Sequence, residues 1–245
     1  GGGSGIGQAI CTRFAEEGAK VGILEISMEK AIETTRIIEA AGGQSWAFAC
    51  DVSQQAEVLG GFAHIAENIG SIDIAVNNAG VGHIGTVETT TEADMDRLYA
   101  INIKGVYNGC KAAVAQMKSR GGTILNMASS VSLVGIPDRF GYSMSKGAVM
   151  TMTYSVACDY LNEKIRCNCI APARVHTPFV DDYLAKNYPG EEKQMFKQLE
   201  KAQPIGRMAT PQEIANLAVY LCSDESDFIT GTLFPIDGGF MSLRP

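Results

Sequence analysis

Tyr142 and Lys146 stand four residues apart in GYSMSKGAV, a spacing that puts a phenol and an ammonium on one face of a helix. A cation beside a phenol stabilises the phenolate and brings a high pKa toward the working range of a general acid/base. The Y-x-x-x-K pattern is common, so it needs support from elsewhere in the chain. Ser129 closes the apolar run TILNMAS, 13 residues ahead of Tyr142. If that run is a strand of a parallel sheet, Ser129 lies at the carboxyl edge, where such sheets bind their ligands. A hydroxyl there can hydrogen-bond a substrate oxygen while its charge changes. The three groups together are equipped to move a proton to or from a carbinol oxygen.

A second chemistry opens the chain. In GGGSGIGQAI, Gly1, Gly5 and Gly7 follow a G-x-x-x-G-x-G spacing, and Gln8 to Gly18 supplies a helix. A glycine-rich turn leading into a helix offers backbone N–H groups and a positive helix end to a pyrophosphate. Glu25 ends the next apolar run, 18 residues past Gly7. A carboxylate there accepts hydrogen bonds from both hydroxyls of an adenosine ribose and repels a 2′-phosphate, which favours NAD over NADP.

The elements that must position these groups alternate. Runs at 20–26, 46–52, 72–80, 122–130, 164–172 and 232–239 read as buried strands, with helical stretches between them. Near-continuous apolar strands alternating with helices predict an α/β fold, a doubly wound parallel sheet in three α/β/α layers. The expectation is one domain over 1–245 and a seven-stranded sheet. Its first, central strand would precede Gly1, so that roughly ten further residues are expected upstream. The segment 178–208 breaks the rhythm and reads as short amphipathic helices inserted as a substrate loop. Thr210-Pro211-Gln212-Glu213 then carries the signature of a capped helix start.

Composition narrows the classes. The 245 residues are 46% hydrophobic and 19% charged, with a formal charge of −7 and dispersed Lys and Arg. That balance argues against nucleic-acid or membrane partners, and no apolar run of the ~18 residues needed to span a bilayer occurs. Seven cysteines without disulfide-module spacing fit free thiols in a cytoplasmic protein.

Taken together, the chain resembles the short-chain dehydrogenase/reductases of about 250 residues, and the likeness covers essentially its whole length. GxxxGxG at 1–7, the acid at 25, DV at 51–52, NNAG at 77–80, IN at 101–102, Ser129, YxxxK at 142–146, PARVHTP at 172–178 and DGG at 237–239 occur in the family's order. The resemblance implies an NAD-linked oxidoreductase in which Tyr142 is the acid/base and Lys146 holds the nicotinamide ribose and lowers the pKa of Tyr142. Ser129 would align the reacting oxygen, and Asn102 would anchor a water in the proton relay. It further implies a cofactor site of Gly1, Ser4, Gly5, Ile6, Gly7, Glu25, Asp51, Val52, Asn78, Ala79, Gly80, Pro172, Val175 and Thr177, shared with Tyr142 and Lys146. Asp51 and Val52 would face adenine, and the backbone about Val175 and Thr177 the carboxamide. A homotetramer, formed through 92–119, 142–162 and the C-terminal strand, is the family expectation. Pro172-Ala173 departs from the family's usual Pro-Gly.

The substrate is read from three cationic or titratable residues. Arg139, three residues before Tyr142, is placed to clamp a carboxylate, with Lys201 on the insert as a second cation and His83 in the loop after NNAG as a further contact. The same Arg-x-x-Tyr-x-x-x-Lys spacing resembles that of 2-keto-3-deoxy-sugar-acid and type 2 hydroxybutyrate dehydrogenases, so a small hydroxy acid is expected. The alternatives are a neutral sugar or polyol dehydrogenase, a 3-oxoacyl-carrier-protein reductase and a non-catalytic NAD sensor. Cys167 and Cys169 read as core thiols rather than metal ligands, and no metal is expected.

Overall fold

The computed structural model describes residues 1–243, without the side chain of Asn187. The glycine loop runs into α1 (Gly5–Glu16), followed by β1 (Lys20–Glu25), α2 (Met28–Ala40), β2 (Gln44–Ala49), α3 (Gln55–Asn68) and β3 (Ile74–Asn77). Next come α4 (Glu92–Leu98), a π-helical segment (Tyr99–Lys104), α5 (Gly105–Met117), β4 (Gly122–Met127), α6 (Phe140–Asp159) and β5 (Ile165–Pro172). The inserted segment folds as α7 (Pro178–Asn187) and α8 (Glu192–Lys201), ahead of α9 (Pro211–Cys222) and β6 (Leu233–Ile236). Local chemistry starts these helices where expected. Ser27 caps α2 by accepting from the Lys30 N–H, and Thr210 and Glu213 form a reciprocal capping box on α9.

All the strand pairs are parallel: β1 with β2, and β3, β4, β5 and β6 in that order. Helices cover both faces, as the long apolar strands require. Ile124, Cys167 and Cys169 face Val106 and Met117 of α5 and Val149 of α6, while Leu125 and Ile170 face Ile10 and Phe14 of α1 and Ile214 of α9. Each such fully buried aliphatic side chain is worth about 1.5–3 kcal/mol of transfer free energy. The strands thus form two sheets rather than one continuous sheet. β1 and β3 do not pair with each other, and a cavity of about 460 Å3 lies between them, lined by Val21, Ile23, Ile74, Val76, Phe14 and Phe62 among others. Among the described residues no helix is long and apolar enough to cross a membrane.

Parallel strands that alternate with helices bring every strand's carboxyl end to one edge. Gly1–Gly7, Glu25, Asn78–Gly80, Ser129 and Pro172 all converge there, although sequence separates them widely.

Candidate active site

The glycine loop is built on backbone contacts that leave no room for side chains. A Cβ on Gly7 would lie 1.8 Å from the Gly1 carbonyl oxygen and 2.6 Å from Asn78 Nδ2. A Cβ on Gly1 would meet the Ala79 backbone at 2.7 Å, and Asn78 Nδ2 donates to Gly1 O at 2.7 Å. Gly5 takes φ +53, the left-handed turn that aims the chain into α1. Ser4 is the N-cap residue but makes no side-chain cap bond, so the first turn of α1 keeps its N–H groups open to an anion. Ile6 packs into the core beneath. Thr177, the N-cap of α7, stands over the loop, 3.2 Å from where a Gly5 methyl would be.

Glu25 closes the loop from the side. Its carboxylate accepts from the N–H groups of Gly3 at 3.0 Å, Ile26 at 3.0 Å and Ser27 at 3.3 Å. The residue expected to meet a ribose therefore also fixes the loop beside it. Asp51 accepts from Ser53 N–H at 2.9 Å, and the Val52 carbonyl receives the Asn108 amide at 2.8 Å, which holds that turn on α5.

The catalytic candidates meet next to this loop. Ser129, buried at the end of β4, hydrogen-bonds Tyr142 and donates to the Pro172 carbonyl at 3.4 Å. Lys146 is 4% exposed; its ammonium donates to Met127 O at 2.7 Å and lies 5.9 Å from the Tyr142 ring centre. Burial brings its pKa down to about 8. Asn102 sits in the π-helical segment, a widened turn that is frequent at functional sites. Its fully buried amide accepts from Val81 N–H at 2.8 Å and donates to Val81 O at 2.9 Å and Ser145 Oγ at 3.0 Å. Ser145 in turn donates to the Tyr142 carbonyl, tying the 78–81 loop to the helix that carries Tyr142. Gly80 lies between these groups; a Cβ there would stand 3.3 Å from Asn102 Oδ1 and 3.4 Å from Lys146 Nζ.

Electrostatics at Tyr142 differ from the expectation. Burial pushes its pKa up, and the opposing influences are the Ser129 hydrogen bond and the positive charge of Arg139. The Lys146 ammonium is turned to the Met127 carbonyl instead, because a buried cation satisfies its donors on the nearest acceptor.

The remaining expected residues are placed as follows. The ring nitrogens of His83 face Thr90 Oγ1 at 3.1 Å and Asp94 Oδ1, on α4, at 3.5 Å. Lys201 is exposed at the end of α8, and no contact joins it to Arg139 or Tyr142 among the described residues. Val175 is buried and bridges Ala209, holding the 172–177 loop. Cys167 and Cys169 pack in the core near Cys110. Sequence reasoning missed Ser145, whose hydroxyl lies on the inner face of the same helix as Tyr142.

A profile of the short-chain dehydrogenase/reductases, described as enoyl-(acyl carrier protein) reductase, matches residues 1–241. The chain belongs to this family. This short-chain dehydrogenase/reductase is 39% identical to an uncharacterized oxidoreductase of Thermotoga maritima over 98% of its own length and 94% of the relative's. It is 35% identical to 2-(S)-hydroxypropyl-CoM dehydrogenase 3 of Xanthobacter autotrophicus, covering 99% and 95% of the two chains. Levodione reductase superposes with a TM-score of 0.95 at 31% identity, over 99% of this chain and 96% of that one. The protein is thus an oxidoreductase of the alcohol/ketone type that uses a nicotinamide nucleotide.

Proposed function

We propose that this enzyme uses NAD to interconvert a secondary alcohol and a ketone in a small hydroxy acid, of the 2-keto-3-deoxy-sugar-acid type. The observation that carries the reading is the hydrogen-bonded Ser129–Tyr142 pair, with Lys146 buried behind it, beside an uncapped helix N-terminus. The glycine cradle fits a dinucleotide: it has no space for side chains, open N–H groups and an acid at its flank. Gly1–Gly7 would hold the pyrophosphate, Glu25 the adenosine ribose, Asp51 and Val52 the adenine surroundings, and Lys146 the nicotinamide ribose. Bound NAD supplies the hydride acceptor. The protein's own part is proton handling and orientation. Ser129 fixes the alcohol oxygen, the Tyr142 hydroxyl takes or returns its proton, and Asn102 holds the wall formed by Val81 in register with α6.

NADH formation with a panel of hydroxy acids, polyols and neutral sugars tests the reading. Turnover on hydroxy acids is expected; NAD binding without turnover on any of them overturns it in favour of a sensor, and better turnover on neutral sugars overturns the acid assignment. Glu25→Ala should weaken NAD about tenfold, the worth of a lost charge-assisted hydrogen bond, and narrow the preference over NADP. A preference left intact by fluorescence titration would remove Glu25 from ribose recognition.

We also propose a homotetramer. Tyr99, Tyr107, Tyr154 and Leu161 expose large apolar surface on 92–119 and 142–162, where partner helices would cover it. Light scattering at micromolar concentration should give four times the chain mass, and a monomer would refute this. A cytoplasmic setting fits the unpaired cysteines.

A further inference from the structure

We propose that His83 is a positioning residue for the proton transfer: with Thr90 and Asp94 it clamps the 81–91 loop over Gly85, whose backbone holds the start of α6 and so sets where Tyr142 stands. The inference rests on the reading of Tyr142 as the proton-transfer group. It gives a role to a residue outside the motifs shared with the family.

The start of α6 is held from outside its own helix. Arg139 is the N-cap residue but makes no side-chain cap bond. Asp138 before it takes φ 58, a left-handed turn uncommon for a residue with a side chain. Gly85 supplies the hold. Its N–H donates to the Asp138 carbonyl at 3.0 Å, and its carbonyl accepts from the Phe140 N–H at 3.2 Å, a parallel bridge across Arg139. Tyr142 lies two residues past Phe140, within the same first turn, so a shift at Gly85 is carried to its hydroxyl.

Gly85 is itself caged. A Cβ there would stand 2.7 Å from His83 Nε2 and 2.9 Å from Thr90 Oγ1, so both groups lie directly against its backbone. Thr90 Oγ1 gives its proton to the Thr86 carbonyl at 2.7 Å and turns a lone pair to His83 Nε2, 3.1 Å away. Across the ring, Asp94 Oδ1 lies 3.5 Å from Nδ1, while Asp94 Oδ2 accepts from the Thr91 hydroxyl at 2.7 Å in the capping box of α4. Those Thr91 bonds, and then the charges of His83 and Arg97, hold the Asp94 carboxyl below its usual pKa, so it meets the ring as an ionised acceptor. His83 therefore joins the loop to the first turn of α4 through both nitrogens, and only 10% of its side chain is exposed.

The same cage reaches α6 directly. A Cβ on Gly141, the residue before Tyr142, would meet Leu98 Cδ1 at 2.8 Å, Met95 Sδ at 3.2 Å and Thr90 Cγ2 at 3.5 Å. Thr90 thus presents its hydroxyl to His83 and its methyl to α6. The near end of the loop is fixed by Asn102, which bonds both the N–H and the carbonyl of Val81. Two backbone bonds at a loop open readily when nothing else orders the loop. His83 supplies that order, because its ring is the link between Gly85 and α4.

Hydrogen exchange read by mass spectrometry on the full chain, paired with steady-state kinetics, tests the clamp. In His83→Ala the peptides carrying Gly85 and Phe140 should exchange about tenfold faster, the worth of a lost hydrogen bond to a charged group. The peptide over β5 should exchange as in the wild type. Kinetics with NAD use whichever of 3-hydroxybutyrate, xylitol and glucose the wild type oxidises fastest. There kcat should fall about ten- to a hundredfold, since the reacting hydroxyl is displaced, while KM and NADH affinity stay within about threefold. His83→Gln keeps an N–H within reach of Thr90 and should recover part of kcat. Thr90→Val keeps the methyl against Gly141 and removes the hydroxyl. It should lose kcat likewise, and adding His83→Ala should cost little more, because the two groups act as one unit. Unchanged exchange at Gly85 and Phe140, an equal rise over β5, or an additive double variant overturns the positioning role. A KM raised about tenfold at intact kcat, the mark of a direct substrate contact, overturns it too. All of these leave the Tyr142 reading standing. If none of the three substrates is oxidised, exchange decides: a rise confined to Gly85 and Phe140 in both His83→Ala and Thr90→Val upholds the clamp, and any other pattern overturns it.

Discussion

Tyr142→Phe should lower kcat by about 10²–10⁴-fold, the usual contribution of a positioned general acid/base. The substitution removes one hydroxyl, its hydrogen bond to Ser129 and nothing of the ring. NADH affinity should therefore stay within about threefold of the wild type, because the lost interaction is made with the reacting oxygen rather than the cofactor. The pH dependence carries a sign. Oxidation needs the phenolate, and burial holds the Tyr142 pKa above its usual value against the pull of Ser129 and Arg139. Oxidation rates should accordingly climb from neutral into alkaline pH in the wild type, and that climb should be lost in Tyr142→Phe. A variant retaining more than about a tenth of wild-type kcat would exclude Tyr142 as the acid/base.

Gly7→Ala has the second largest expected effect, and it acts through space rather than charge. The new methyl would sit 1.8 Å from Gly1 O and 2.6 Å from Asn78 Nδ2, so the loop and the Asn78–Gly1 hydrogen bond must both give way. Forced overpacking of this kind costs about 1–3 kcal/mol, which corresponds to a melting temperature lowered by about 2–12 °C at this chain length. Cofactor binding should suffer more than stability, since the displaced atoms are the cradle itself. NADH titration should show a loss of at least about a hundredfold, consistent with the sensitivity of oriented sites to ~1 Å misplacement. Unchanged affinity would mean that the loop between Gly1 and Gly7 does not hold the nucleotide. By contrast, Gly60 and Gly147 have open space around their Cβ positions, and alanine there should leave binding unaffected.

The fold class, the order of its elements and the common helix face of Tyr142 and Lys146 were legible in the sequence, because each rests on local chemistry. Periodicity of apolar residues marks strand and helix, Thr210 and Glu213 mark a helix start three residues apart, and an i,i+4 spacing places Tyr142 and Lys146 on one face without knowledge of the rest. The glycine loop was legible for the same reason: closeness of backbone to backbone demands glycine wherever it occurs. The tertiary structure alone decided which charges face one another. The Lys146 ammonium turns to the Met127 carbonyl, Arg139 instead of Lys146 opposes the rise in the Tyr142 pKa, and the His83 ring nitrogens face Thr90 and Asp94. Those outcomes depend on how β4, α4 and α6 cross one edge of the sheet, and residue spacing carries no information about side chains brought together from distant segments. Long, flexible cations have no periodic signature; where they end is set by burial and by the acceptors within reach.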